Sequence, residues 1–163
     1  MTSIVEQRML SVFDLVEEPR DELYRRLIIW CGGHCATALL VVRDVDDLSE
    51  ESANILKRLE DNLTTVERSS QWPETVLVSS NDTALVYRYR LTPQTVELFC
   101  TLVDGLYEWA EPNRPDDLCF TRADGSPCCG ASTTVYISVS SSGSTKTLWT
   151  GPFDEIEMPS TSV

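Results

Sequence analysis

Hydrophobic periodicity changes twice between Ala84 and Gly130, and this constrains the fold more than any other feature of the chain. Leu85, Tyr87, Tyr89 and Leu91 fall on one face of an alternating run, with Val86, Arg88 and Arg90 on the other. Alternation of this kind marks a half-buried strand. At Thr92-Pro93 the period becomes helical. A threonine hydroxyl can cap the first free N–H groups, and proline is tolerated at the first helical position because its missing N–H has no partner there. Val96, Phe99, Leu102, Val103 and Leu106 then form one apolar stripe. Gly105 inside that stripe costs about 1 kcal/mol relative to alanine, so it is expected to mark a close approach by another element. Pro112 and Pro115 turn the chain into a strand over residues 118–122, and Asp124-Gly125 predicts a two-residue hairpin turn.

The flanking segments carry weaker patterns. Ser3-Ile-Val-Glu6 reads as a capping box, and Val5, Met9, Val12, Phe13 and Val16 recur at helical spacing, which predicts a helix over about residues 4–17. Leu27–Cys31 and Ala36–Val42 are apolar runs on either side of Gly32-Gly33. A Gly-Gly turn accepts positive φ at both positions, so the two runs are expected to pair as a hairpin; residues 21–30 also fit a helix. The second run does not alternate, which implies a central strand covered on both faces. Asp47-Leu-Ser-Glu50 starts a second helix with the stripe Leu48, Ser52, Ile55, Leu56, Leu59 and Leu63. Residues 68–74 read as loop, 75–79 as a short strand, and Val135, Ile137 and Val139 as the last strand. Together these predict an α+β domain over residues 1–140, a mostly antiparallel sheet built from hairpins with about three helices packed on it. Residues 141–163, rich in Ser, Thr, Gly and Pro, read as a tail in which Trp149, Phe153 and Ile156 are the side chains able to dock.

Charge narrows the choice of partner. With 26 acidic and 13 basic residues the formal net charge is −13. Such a field repels phosphate backbones and anionic membranes and accelerates encounter with a basic protein. Asp44, Asp46, Asp47, Glu50 and Glu51 concentrate it within one short stretch. That stretch lacks the spacing and the glycine of a calcium-binding EF-hand loop, and it sits at a helix start, where the dipole favours anions. It is therefore expected to be the surface that meets a basic protein partner. No apolar run approaches the roughly 20 residues of a membrane span, and the first residues lack a basic-then-apolar signal, so a cytoplasmic location is expected.

The search for reaction chemistry yields little. Cys31-Gly-Gly-His34-Cys35 offers two thiols and an imidazole, but the missing zinc ligands would have to come from Cys119, Cys128 or Cys129 in a distant hairpin. The expected state is a turn histidine beside packed, reduced thiols, with no metal and no cofactor. Adjacent Cys128 and Cys129 would point to opposite faces of a strand. Arg88 and Arg90 are expected to pair with local carboxylates. Dinucleotide, phosphate-loop and nucleophile-elbow motifs are absent from the sequence, so the chain is expected not to be an enzyme. The alternatives are a small metal- or cysteine-dependent enzyme using His34 and the cysteines, or a structural subunit of a larger assembly.

Val86-Tyr-Arg-Tyr-Arg-Leu-Thr-Pro93 and Pro115-Asp-Asp-Leu-Cys-Phe-Thr-Arg-Ala-Asp-Gly-Ser-Pro127 resemble a group of small bacterial proteins. In that group a Y-R-L-T-P helix start precedes L-Y-x-W and a P-x-D-L-x-F-x-R-x-D-G-x-P hairpin. The resemblance covers about the middle third of the chain and implies a bacterial α+β domain. A His-Glu pair follows the hairpin in the group, whereas Gly130-Ala-Ser-Thr-Thr-Val135 has neither residue. The resemblance implies no reaction. The function expected from all of these features is that of an immunity- or inhibitor-type protein that neutralises a basic partner.

Overall fold

The structure, a computed structural model, describes residues 9–14, 18–73, 75–79, 82–130 and 134–139. In chain order the elements are β1 (Met9–Asp14), α1 (Asp21–His34), β2 (Thr37–Val42), α2 (Glu50–Leu59), β3 (Leu63–Ser69), β4 (Gln71–Trp72), β5 (Thr75–Val76), β6 (Ala84–Arg90), α3 (Pro93–Leu102), β7 (Asp116–Thr121), β8 (Pro127–Gly130) and β9 (Thr134–Val139). Seven strands form one sheet in the order β1-β9-β8-β7-β2-β6-β3, and every described pairing in it is antiparallel. β4 and β5 make a separate two-stranded ribbon. The α+β class, the antiparallel sheet and the number of helices are as the sequence predicts, although one helix lies elsewhere in the chain than expected.

All three helices lie on one face of the sheet. Tyr24, Leu27 and Ile28 of α1, Ile55 and Leu59 of α2 and Phe99 of α3 share one core with Leu40, Tyr89, Leu118 and Phe120 of the sheet. The Tyr24 hydroxyl donates to the Phe99 carbonyl (2.9 Å) and accepts from Trp109 Nε1 (3.0 Å), so the polar atoms that Tyr24 and Trp109 bring into this core are satisfied. On the other face Leu39 and Val41 of β2 pack with Val86, Cys119 and Trp72, the last of these supplied by β4. β2 is thus buried on both faces, as its unbroken apolar run implies. Thr92 caps α3 by accepting from the Thr95 N–H (3.2 Å), with Pro93 at the first helical position.

Several local expectations are corrected. Leu27–Cys31 is not a hairpin strand, because Gly32-Gly33 lies inside the last turn of α1. Tyr24, Leu27, Ile28 and Cys31 fall on one helical face and are all buried, so the helical pattern of residues 21–30 prevails. Within the helix expected over residues 4–17, Met9–Asp14 is a strand paired with β9 along its whole length, and residues 4–8 and 15–17 lie outside the described residues. Leu63, expected to close the stripe of the second helix, and Arg68 and Ser69, expected to be loop, all belong to edge strand β3. Most of its side chains are exposed, so no apolar alternation announces it. Around Asp124-Gly125, Arg122 N–H pairs with the Ser126 carbonyl (2.9 Å), enclosing three residues, and Gly125 takes the left-handed φ of 82° that this longer turn needs.

Gly105 marks a close approach, although not from inside a helix as its place in the apolar stripe implied, because α3 ends at Leu102 and Gly105 is extended. It bridges to Arg20, and a Cβ built on it would lie 2.5 Å from Glu18 Oε1. The tail over residues 141–163, with Trp149, Phe153 and Ile156, lies outside the described residues.

Candidate functional site

β2 carries a chemically distinct group at each end. At its C-terminal end the chain leaves the sheet at Arg43, whose guanidinium bonds Asp116 and Asp117 at 2.6 Å each and stacks over the Trp72 ring at 5.1 Å. The Arg43 N–H donates to Glu111 (2.7 Å), and Trp72 Nε1 donates to Asp117 (3.0 Å). Asp117 has φ 51°, which aspartate tolerates better than most side chains, and it supplies the extra residue of a bulge opposite β2. This network closes the base of the acidic loop. Beside it an open cleft of about 400 Å³ is lined by Arg43, Leu77, Asp82, Thr83 and Ala84.

The five predicted partner-binding carboxylates lie together on this loop and the first turn of α2, and all are exposed. They do different things. Asp44 Oδ1 accepts from the N–H groups of Asp46 (3.0 Å) and Asp47 (3.3 Å), which shapes the loop. Ser49 caps α2 by accepting from Ser52 N–H (3.1 Å), and Glu51 pairs with Arg114 at 3.2 Å. Asp46, Asp47 and Glu50 have no side-chain hydrogen bond or ion pair among the described residues. Val45, 45% exposed, precedes them in the same loop as an apolar contact. Elsewhere Arg88 pairs with Glu67 (2.8 Å), as expected for a local ion pair.

At the other end of β2 four thiols meet. The C-x3-C spacing sets Cys31 and Cys35 one helical turn apart at the end of α1, with the Cys35 N–H donating to the Cys31 carbonyl (2.8 Å). Their partners come from β8. Phe120 pairs with Cys129 and Thr121 with Pro127, so β8 has one residue more than β7 here, and Cys128 is the bulged one. The bulge overturns the expectation that Cys128 and Cys129 face opposite sides, because both are buried in the helix-side core. Thiol contacts then run from Cys129 to Cys31, from Cys31 to Cys35, and from Cys35 to Cys128. Cys128 and Cys31 donate S–H groups to the Cys35 sulfur and Arg122 adds positive charge nearby, which together hold the Cys35 thiol well below its ordinary value. The Cys31 thiol is pushed up by burial and by its hydrogen bonds to Cys129 and Cys35.

The remaining candidates stay apart from this cluster. Cys119 faces the opposite core, where its thiol donates to the Pro73 carbonyl (3.9 Å), and Cys100 donates to the Arg25 carbonyl (3.9 Å). His34 ends α1 rather than forming a turn. Its ring stacks on Trp30 at 4.4 Å and its Nδ1 donates to the Trp30 carbonyl (2.8 Å), so it makes no hydrogen bond to a thiol. No three His, Cys, Asp or Glu side chains among the described residues are arranged to hold a metal ion. No described helix is long and apolar enough to cross a membrane. The chain matches no protein-family model, no curated protein and no solved structure.

Proposed function

We propose that the chain is a protein-binding domain whose acidic loop docks a basic partner, as an immunity- or inhibitor-type protein does. The observation that carries this reading is the division of labour among the five carboxylates. Asp44 is occupied in shaping the loop and Glu51 in pairing with Arg114, which leaves Asp46, Asp47 and Glu50 exposed and unpaired on the same loop and helix turn as exposed Val45. Unpaired carboxylates on one stretch with an apolar contact favour a cationic protein surface, where charge sets encounter rate and specificity and the apolar contact adds affinity. The net charge of −13 acts in the same sense at long range.

A pull-down from the native cell at low and high salt tests this. The unmodified chain should retain a basic protein at low salt and release it at high salt. Combined Asp46→Asn, Asp47→Asn and Glu50→Gln should weaken capture by about tenfold or more. Equal capture by the neutralised variant, or recovery of no basic partner at either salt, would overturn the reading.

A further inference from the structure

The thiol cluster is separate from the acidic loop, since the two ends of β2 lie roughly 17 Å apart at strand rise. Its four sulfurs differ in accessibility. Cys31 and Cys128 are fully buried and Cys129 is 2% exposed, whereas Cys35 is partly exposed. An attacking thiol must be reached by its substrate, while a resolving thiol is best held in contact and shielded. Cys35 and Cys128 meet those two requirements. The bulge in β8 turns Cys128 onto the helix side, into the core against which Cys35 packs, and the next residue, Ala36, bonds through its N–H to the carbonyl of Thr121, the strand partner of Pro127. The C-terminal end of α1 disfavours an anion at Cys35, so the two S–H donors and Arg122 are what offset it.

We propose that Cys35 and Cys128 form a thiol–disulfide exchange site that takes a small-molecule disulfide. The Cys35 sulfur, as thiolate, attacks one sulfur of the substrate; a Cys35–substrate disulfide forms and the other half leaves as a thiolate, which takes up a proton. The Cys128 thiol then loses its proton and its sulfur attacks that of Cys35. The Cys35–Cys128 bond forms, and the second half of the substrate leaves and takes the proton. Two protein thiols are oxidised and one substrate disulfide is reduced to two thiols. Cys31, one helical turn before Cys35 and bonded to it through the backbone, positions the attacking sulfur.

Oxidised glutathione, added to the reduced full-length chain and followed by acid quench, alkylation and peptide mapping, provides the test. The expected product is a Cys35–Cys128 disulfide with both halves of the glutathione released. Cys128→Ser should stop at a mixed disulfide on Cys35. Cys100 is an internal standard, because it is also partly exposed but has no sulfur partner. Cys35 should react at least about tenfold faster than Cys100. Equal rates at the two sites, a disulfide joining any other pair, or stoichiometric zinc that purifies with the chain and blocks the reaction would each overturn the proposal. If Cys128→Ser does not fold, the rates and the mapped bond in the unmodified chain decide.

Discussion

Gly32 and Gly33 have the same chemistry and opposite roles. A Cβ on Gly32 would lie 2.6 Å from Val96 Cγ2, and that valine is stiff at χ1, so α1 and α3 would have to separate. Gly33 has nothing within 4 Å of the same position. Gly32→Ala should therefore lower stability by roughly 1–3 kcal/mol, while Gly33→Ala should raise it by up to about 1 kcal/mol. Urea denaturation of the two variants checks both signs. Tyr24→Phe probes the buried polar chain, since it leaves the Phe99 carbonyl and Trp109 Nε1 without their partner. The expected loss is roughly 1–3 kcal/mol, read from the same transitions. At Cys35 the folded chain favours the thiolate, so its fraction persists as the pH falls below the ordinary thiol value and is lost only on passing through the lowered one. Alkylation of Cys35 should accordingly stay fast at neutral pH, while Cys100, pushed up by burial, slows.

Among the elements, those with both a cap and a periodic face were legible from sequence. Thr92 caps α3 as read, the cap of α2 is Ser49, two residues beyond the expected Asp47, and β6 keeps its two faces, with Tyr87 and Tyr89 toward the helices and Val86 buried in the opposite core instead of open to solvent. Ser49→Ala should cost about 1 kcal/mol and should also loosen the acidic loop that precedes it, which a denaturation midpoint and partner capture report separately. The misread elements share a cause. Gly-Gly is a turn signal only if its flanking runs are strands, and the helical face of Tyr24, Leu27, Ile28 and Cys31 settles that they are not. β3 is an exposed edge held by its pairing with β6, and β1 is held by pairing with β9. Backbone pairing leaves no mark in hydrophobic periodicity where, as along β3, the side chains face solvent.

Across the whole molecule the acidic loop and the thiol cluster occupy opposite ends of one buried strand. Their variants should act independently: neutralising Asp46, Asp47 and Glu50 together with Cys35→Ser should change stability by the sum of the separate effects, within about 0.5 kcal/mol. A double-variant cycle in urea measures this. The chain's periodicity, caps and charge sufficed to specify an antiparallel α+β fold, a central β2 and an acidic loop, because each of these is written in neighbouring residues. The C-x3-C spacing was a local signal for half of the thiol cluster. The other half depended on the register of β8 against β7, where one additional residue turns Cys128 to the side already occupied by Cys129. A register of that kind exists only once distant strands have paired, so the meeting of Cys35 with Cys128 is a product of the folded sheet.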